Sequence, residues 1–284
     1  MLFKQNIKYL ASAIMACSLM LTSCDNVDED DRYLEAPEVT PQRGVLLVDF
    51  TGQNCINCPT AHETMEQLEK QYGRDKLIAV SVHSGSLSIP VSRTNFNTGR
   101  VGLMCAEGQA LSDAWGISTW PRGVIDLTGS SMNFDQWSYA VYNIIGKPSD
   151  VAIDAKVSYT AKEDVPESTE NGRISVAAEI TSTADIKDAY VQFWITQDDI
   201  KAPQKFPDHT QSDYIHNNVF RAMIFDQPGQ KTEIKAGEKI TVTGSIDCRF
   251  NDKERWEIDD LYVLAYVYES GKGVHNIVRV KVNR

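Results

Sequence analysis

The chain is short of positive charge: 28 lysines and arginines face 39 aspartates and glutamates, for a formal net charge of −11. No basic stripe interleaved with aromatics relieves this, which argues against nucleic acid as the main partner. No apolar stretch is long enough to cross a bilayer. The run from Tyr9 to Leu21 falls short of the roughly 20 residues that a spanning helix needs. Internal repeats, a glycine-rich phosphate loop, a Ser-His-Asp order and paired carboxylates are all missing, which removes the commoner hydrolytic and nucleotide-dependent chemistries. Cysteines number six in 284 residues, so the chain is no disulfide-framework protein and each cysteine is accounted for singly. Disorder is excluded too, because 42% of the residues are hydrophobic and 24% charged, the balance of a globular protein with a real core.

The first residues read as a targeting segment. Lys4 and Lys8 precede the apolar run, which closes on Leu21-Thr22-Ser23-Cys24. That closing motif resembles the lipobox of bacterial lipoproteins, and the resemblance implies cleavage after Ser23 and lipidation of Cys24. Residues 1–23 are then a signal peptide, and 24–43 an acidic tether carrying Asp25, Asp28, Glu29, Asp30 and Asp31. Self-repulsion keeps such a segment extended. The anchored protein lies on the membrane through its acyl chains and does not span it.

From Gly44 strand and helix signals alternate. Val45–Phe50 and Leu77–Val82 are apolar runs of the buried-strand type, and Ile56–Tyr72 repeats Ala61, Met65, Leu68 and Tyr72 at helical spacing. Ala106–Trp115 and Phe134–Ile145 read as further helices, and Val124–Leu127 with a turn at Gly129 as a strand and hairpin. This order predicts an α/β domain over 44–148. Beyond Pro148 only β-type runs follow, at 151–160, 173–183, 189–196, 218–225, 239–247, 260–268 and 274–282. About seven short strands predict an all-β, immunoglobulin-like sandwich over 149–284.

Cys17 leaves with the signal. Cys105 and Cys248 either bond to each other or remain free and buried. Cys55 and Cys58 form a CxxC between a strand and a helix, where unpaired N–H groups and the helix dipole stabilise a thiolate at Cys55. Cys58, one turn on, resolves a mixed disulfide by internal attack. Here the chain resembles thioredoxin-like proteins. Val48-Asp49-Phe50 matches that family's strand into the active site, and Asp49 its buried carboxylate, which implies proton transfer at the second cysteine. Gly116-Ile117-Ser118-Thr119-Trp120-Pro121 resembles the family's cis-proline loop, which implies that Pro121 shapes a substrate groove while Thr119 and Trp120 pair with an extended peptide. The tryptophan that usually precedes the first cysteine is replaced by Gln53-Asn54.

Phe50-Thr51-Gly52-Gln53-Asn54-Cys55-Ile56-Asn57-Cys58-Pro59, followed by Ala61-His62-Glu63 and by His216-Asn217-Asn218-Val219 and Arg221 in the tail, resembles a family of Gram-negative lipoproteins named for an outer membrane protein of twenty-eight kilodaltons. The resemblance implies an outer-membrane location, on the periplasmic or the cell-surface face. Two functions compete. The first is a thiol-disulfide oxidoreductase acting on exported proteins or peptides, with a Cys55–Cys58 disulfide, Asp49 as proton relay and Pro121 in the groove. The alternative is a surface binding or adhesion lipoprotein in which that disulfide is structural and the sandwich meets the ligand. A thiolate/imidazole metal site of Cys58, His62 and His83 is the weaker candidate, so no metal and no cofactor are expected.

Overall fold

The computed structural model describes residues 42–164 and 172–284. The signal segment 1–23, the lipidation cysteine Cys24 and the tether up to residue 41 lie outside the described residues. The strands are β1 (Val45–Thr51), β2 (Leu77–His83), β3 (Arg122–Ile125), β4 (Thr128–Met132), β5 (Val151–Thr160), β6 (Arg173–Ser182), β7 (Ile186–Gln197), β8 (Ile200–Lys205), β9 (Thr210–His216), β10 (Val219–Met223), β11 (Gln230–Ile234), β12 (Lys239–Asp247), β13 (Leu261–Glu269) and β14 (Gly273–Lys281). The helices are α1 (Cys58–Tyr72), α2 (Ala106–Ala114) and α3 (Trp137–Tyr142).

The expected α/β thioredoxin-like domain followed by an all-β immunoglobulin-like sandwich is not what forms. Among the described residues the chain is mainly β, and one nine-stranded sheet in the order β14-β13-β7-β10-β2-β1-β3-β4, with β11 on β7, runs through both halves of the sequence. The joint is β10. It pairs antiparallel with β7 on one side and meets β2 in parallel on the other, Val219 opposite Ser81. Local periodicity carries no information about such a pairing, because strand partners more than a hundred residues apart leave no short-range mark. The described residues accordingly fall in one compact unit.

Every residue of β1 and β2 is buried, as continuous apolar runs require of central strands covered on both faces. Leu46, Val48 and Phe50 of β1 share one core with Leu111 of α2, Trp194 of β7 and Leu264 and Tyr266 of β13. Val45 and Leu47 point the other way, onto Ala61, Met65 and Leu68 of α1 and Trp137 and Val141 of α3. Farther along that second face the covering layer changes. The three-stranded sheet β12-β6-β5 packs Ile174, Val176, Ala178 and Ile180 onto Val191, Phe193 and Ile195 of β7 and Val263 and Val267 of β13. A sandwich core thus exists, but one of its two layers is the sheet that the N-terminal strands extend.

α1 ends where Gly73, at φ 87°, returns its N–H to Glu69 O at 2.9 Å. The hairpin between β3 and β4 turns at Asp126-Leu127, both at positive φ (51° and 53°), ahead of the expected Gly129, which lies in β4. Asp126 is held there because its Oδ1 accepts Leu46 N–H at 2.8 Å and its Oδ2 pairs with Arg43 at 2.6 Å.

Candidate functional site

β1 delivers Asp49 and Thr51 to the end of the sheet, where Gly52 opens a tight turn. A side chain at Gly52 would place its Cβ 2.7 Å from Leu87 O. Cys55 N–H donates to Gly52 O at 3.0 Å, Pro59 occupies the first turn of α1, and Cys55 and Cys58 are disulfide-bonded. A second layer closes over them. Gln204 of β8 donates its Nε2 to Cys55 O at 3.1 Å and to Gly52 O at 3.4 Å, and Lys205 N–H donates to Gln53 O at 2.8 Å. Gln53 donates in turn to Val101 O at 2.8 Å and accepts Leu103 N–H at 3.2 Å. Under this cover Cys55 is 3% exposed and Cys58 fully buried. Of the CxxC segment only Ile56 and Asn57 reach solvent.

Asp49 is fully buried, and neither carboxylate oxygen has a hydrogen-bond partner among the described residues. Burial pushes its pKa well above the carboxylate range. His62 Nε2 lies 3.6 Å from Asp49 and 2.9 Å from Thr51 Oγ1, while its Nδ1 meets the Tyr214 hydroxyl at 3.2 Å. Burial lowers His62 to about 4 and His216 to about 3, and holds His83 well below its ordinary value. At neutral pH burial keeps His62 uncharged, so Asp49 and His62 do not form an ion pair.

The peptide Trp120–Pro121 is cis. The Trp120 indole donates to Ser84 Oγ at 3.0 Å, and its ring fills the space beside Gly85. Thr119, Trp120 and Pro121 face Asn57 and Thr60 of the α1 start across a groove of about 360 Å³. The structure thus gathers Thr119, Trp120 and Pro121 around the CxxC turn, and places Asp49 in the wall behind it next to His62. Cys105 and Cys248 are free and buried, and burial raises their thiols to about 11 and 12. Of the thiolate/imidazole set, Cys58 is spent in the disulfide. No group of three or more His, Cys, Asp or Glu among the described residues is arranged to hold a metal ion.

Sequence reasoning missed Gln204, Tyr214 and the placing of His216. All three sit on the polar hairpin β8–β9, whose strands carry no apolar alternation. His216 packs edge-on to His83 at 5.3 Å and to His62 at 6.3 Å. A cavity of about 450 Å³ opens there, lined by His62, Glu66, Arg74, Tyr214, His216 and Asn218 among others.

A family model described as outer membrane protein Omp28 matches residues 108–284. Among solved structures, HBP35 of Porphyromonas gingivalis superposes with a TM-score of 0.61 at 16% identity, covering 85% of this chain and 76% of its own; that likeness shows a shared fold. A domain of the outer membrane lipoprotein Omp28 from Porphyromonas gingivalis aligns over 48% of this chain and 89% of its own, at 14% identity and a TM-score of 0.33. No curated protein matches. No helix among the described residues is long and apolar enough to cross a membrane.

Proposed function

Because the chain belongs to the outer membrane protein Omp28 family, we propose that it is a non-enzymatic binding lipoprotein of that membrane, held by lipid on Cys24, whose Cys55–Cys58 disulfide is a structural staple. The observation that carries this reading is the cover over the disulfide. A working exchange cysteine must offer its sulfur to a partner thiolate, whereas Cys55 is 3% exposed beneath the Gln204 hairpin. The family match lends support from another side, since residues 108–284 begin after the CxxC. The lipobox-like Leu21-Thr22-Ser23-Cys24 supports the anchor. The partner is a ligand met at the membrane surface.

One specific observation favours a second reading, a thiol-disulfide oxidase or isomerase for exported proteins: the fully buried Asp49, its carboxyl pushed up by burial, together with the groove at Thr119, Trp120 and Pro121. In that reaction a substrate thiolate attacks Cys55, the Cys55–Cys58 bond breaks and Cys58 leaves as thiolate. A second substrate thiolate then displaces Cys55, so two electrons pass to the pair and the substrate gains a disulfide.

One measurement separates the two readings. The full-length protein is equilibrated in thiol redox buffers and its free thiols are alkylated. We expect a reduction potential below about −300 mV, as structural disulfides have. A value between about −120 and −270 mV, the span of working oxidoreductases, together with a mixed disulfide trapped on Cys58→Ser, would sink the staple reading.

A further inference from the structure

A second cavity, of about 330 Å³, shares no lining residue with the histidine-lined cavity beside α1, and its chemistry differs. Trp194 of β7 and Tyr266 of β13 form its floor, in edge-to-face contact at 5.2 Å. Tyr268 continues the aromatic surface 5.7 Å from Tyr266, and Trp115, just past the end of α2, makes the facing wall. The rim is built from the β3–β4 turn, the segment after β10 that carries Gln227, and the β13–β14 turn. Three loops thus converge on a rigid aromatic base, the usual arrangement of a recognition site on a β scaffold.

Two features narrow the ligand. No Asp, Glu, Lys or Arg is among the residues lining this cavity, although the chain as a whole carries a net −11. An anion finds no cation here, and a quaternary ammonium finds no carboxylate to add to the ring faces. The polar groups present are amides and hydroxyls. Gln192 is locked by donating to Phe225 O at 2.8 Å while accepting Phe193 N–H at 2.9 Å. The indole N–H of Trp194 is buried and has no acceptor among the described residues, so the ring and not its N–H is what the floor presents. Aromatic rings beside the Gln227 amide and the Thr128 and Ser270 hydroxyls of the rim suit a ligand with a C–H face and a ring of hydroxyls.

We propose that this pocket binds a neutral sugar unit, so that the protein captures uncharged glycans at the outer membrane. The volume is in the small-ligand range and suits the end of one glycan chain better than an extended peptide, which takes a long open groove. The inference rests on the binding-lipoprotein reading and adds its ligand class. All the residues named for the pocket lie within the family-matched span 108–284.

The test uses the full-length protein in a detergent without sugar headgroups. Methyl glucoside, methyl galactoside, N-acetylglucosamine, maltotriose and lactose are titrated while tryptophan fluorescence and ligand saturation-transfer NMR are followed. At least one is expected to bind with a dissociation constant of about 1 mM or tighter. Trp115→Ala and Tyr268→Ala are each expected to weaken it about tenfold or more, the scale of losing one aromatic anchor. Gln227→Ala, at an exposed rim position, weakens binding without touching the core. Tyr139→Ala, on the exposed face of α3, leaves it unchanged. The proposal is overturned if none of these sugars binds, if binding survives both aromatic substitutions, or if choline, sialyllactose or a decaproline peptide binds in place of the neutral sugars. The disulfide measurement reads none of these residues, so the two ideas fail separately.

Discussion

Gln204 is fully buried and its side-chain amide serves the carbonyls of Cys55 and Gly52 together. Removing it strips the buried Cys55 O of its side-chain donor and leaves Gly52 O only the Cys55 N–H, at a cost of about 1–3 kcal/mol, and it also loosens the lid over the sulfurs. Gln204→Ala is therefore expected to lower the urea midpoint and to speed reduction of the disulfide by dithiothreitol, followed by alkylation against time. An unchanged reduction rate would mean that something other than this amide shields the pair. The bond itself closes a four-residue loop. In the chain-entropy account Cys55→Ser with Cys58→Ser costs about 2 kcal/mol, read from equilibrium unfolding. His62 brings a pH dependence with a definite sign. Its folded pKa, about 4, lies below the ordinary 6.5, so the unfolded chain binds the proton first. Its contribution is fully present above 6.5 and is lost as pH falls toward 4. Relative to His62→Gln, the wild-type protein is expected to lose about 1.4 kcal/mol per pH unit across that window. A pH-independent difference between the two would show that His62 takes up its proton as readily in the fold as in the unfolded chain.

At the scale of elements, strand-to-helix fit depends on single missing side chains. Gly123 of β3 lies under Trp137 of α3, where an added Cβ would come 2.0 Å from the indole Nε1. Both partners are buried and the helix cannot lift without uncovering Met65 and Leu68 of α1, which share its core. Gly123→Ala is expected to cost about 1–3 kcal/mol by overpacking, with the loss appearing as a lower denaturant midpoint at unchanged slope. The elements most legible from sequence are those with an apolar period. β1, β2, α1 and α2 fall within a residue or two of their expected bounds, because their buried faces repeat at strand or helix spacing. β8, β9 and β11 were not legible. Thr210–His216 and Gln230–Ile234 are mostly exposed or half-buried, and β8 carries Pro203 at an irregularity in its pairing. Such strands owe their existence to a partner, not to a hydrophobic face.

At the scale of the whole molecule, the shared sheet makes the halves dependent on each other. Gly44, at the entry to β1, donates its N–H to Asn276 Oδ1 of β14 at 2.8 Å, and its Cα lies so close that a Cβ would meet Ile277 O at 2.3 Å. Arg74 of the segment after α1 pairs with Asp198 at 2.9 Å, and Asp198 also binds Arg279 of β14 at 2.9 Å. Separate cores would melt in two steps. One sheet with ties at both ends is expected to give a single calorimetric transition with van't Hoff and calorimetric enthalpies in agreement. Two resolved transitions would restore the picture of independent domains.

The sequence alone determined what depends on neighbouring residues. The lipobox-like Leu21-Thr22-Ser23-Cys24, the CxxC after a buried strand, the helix behind it and the mainly β character of the described residues past Pro148 are all written in short-range pattern, since side-chain period and cap chemistry act over a few residues. The tertiary structure decided what depends on pairing at long range. It merged two expected domains into one sheet through the contact of Val219 with Ser81, laid Gln204 over Cys55, and brought His62, His83 and His216 together. It also drew Trp115, Trp194, Tyr266 and Tyr268 around one uncharged cavity. None of these meetings has a local signature, because each is set by which strand the free edge of β2 accepts, and that choice is made by the burial of whole faces.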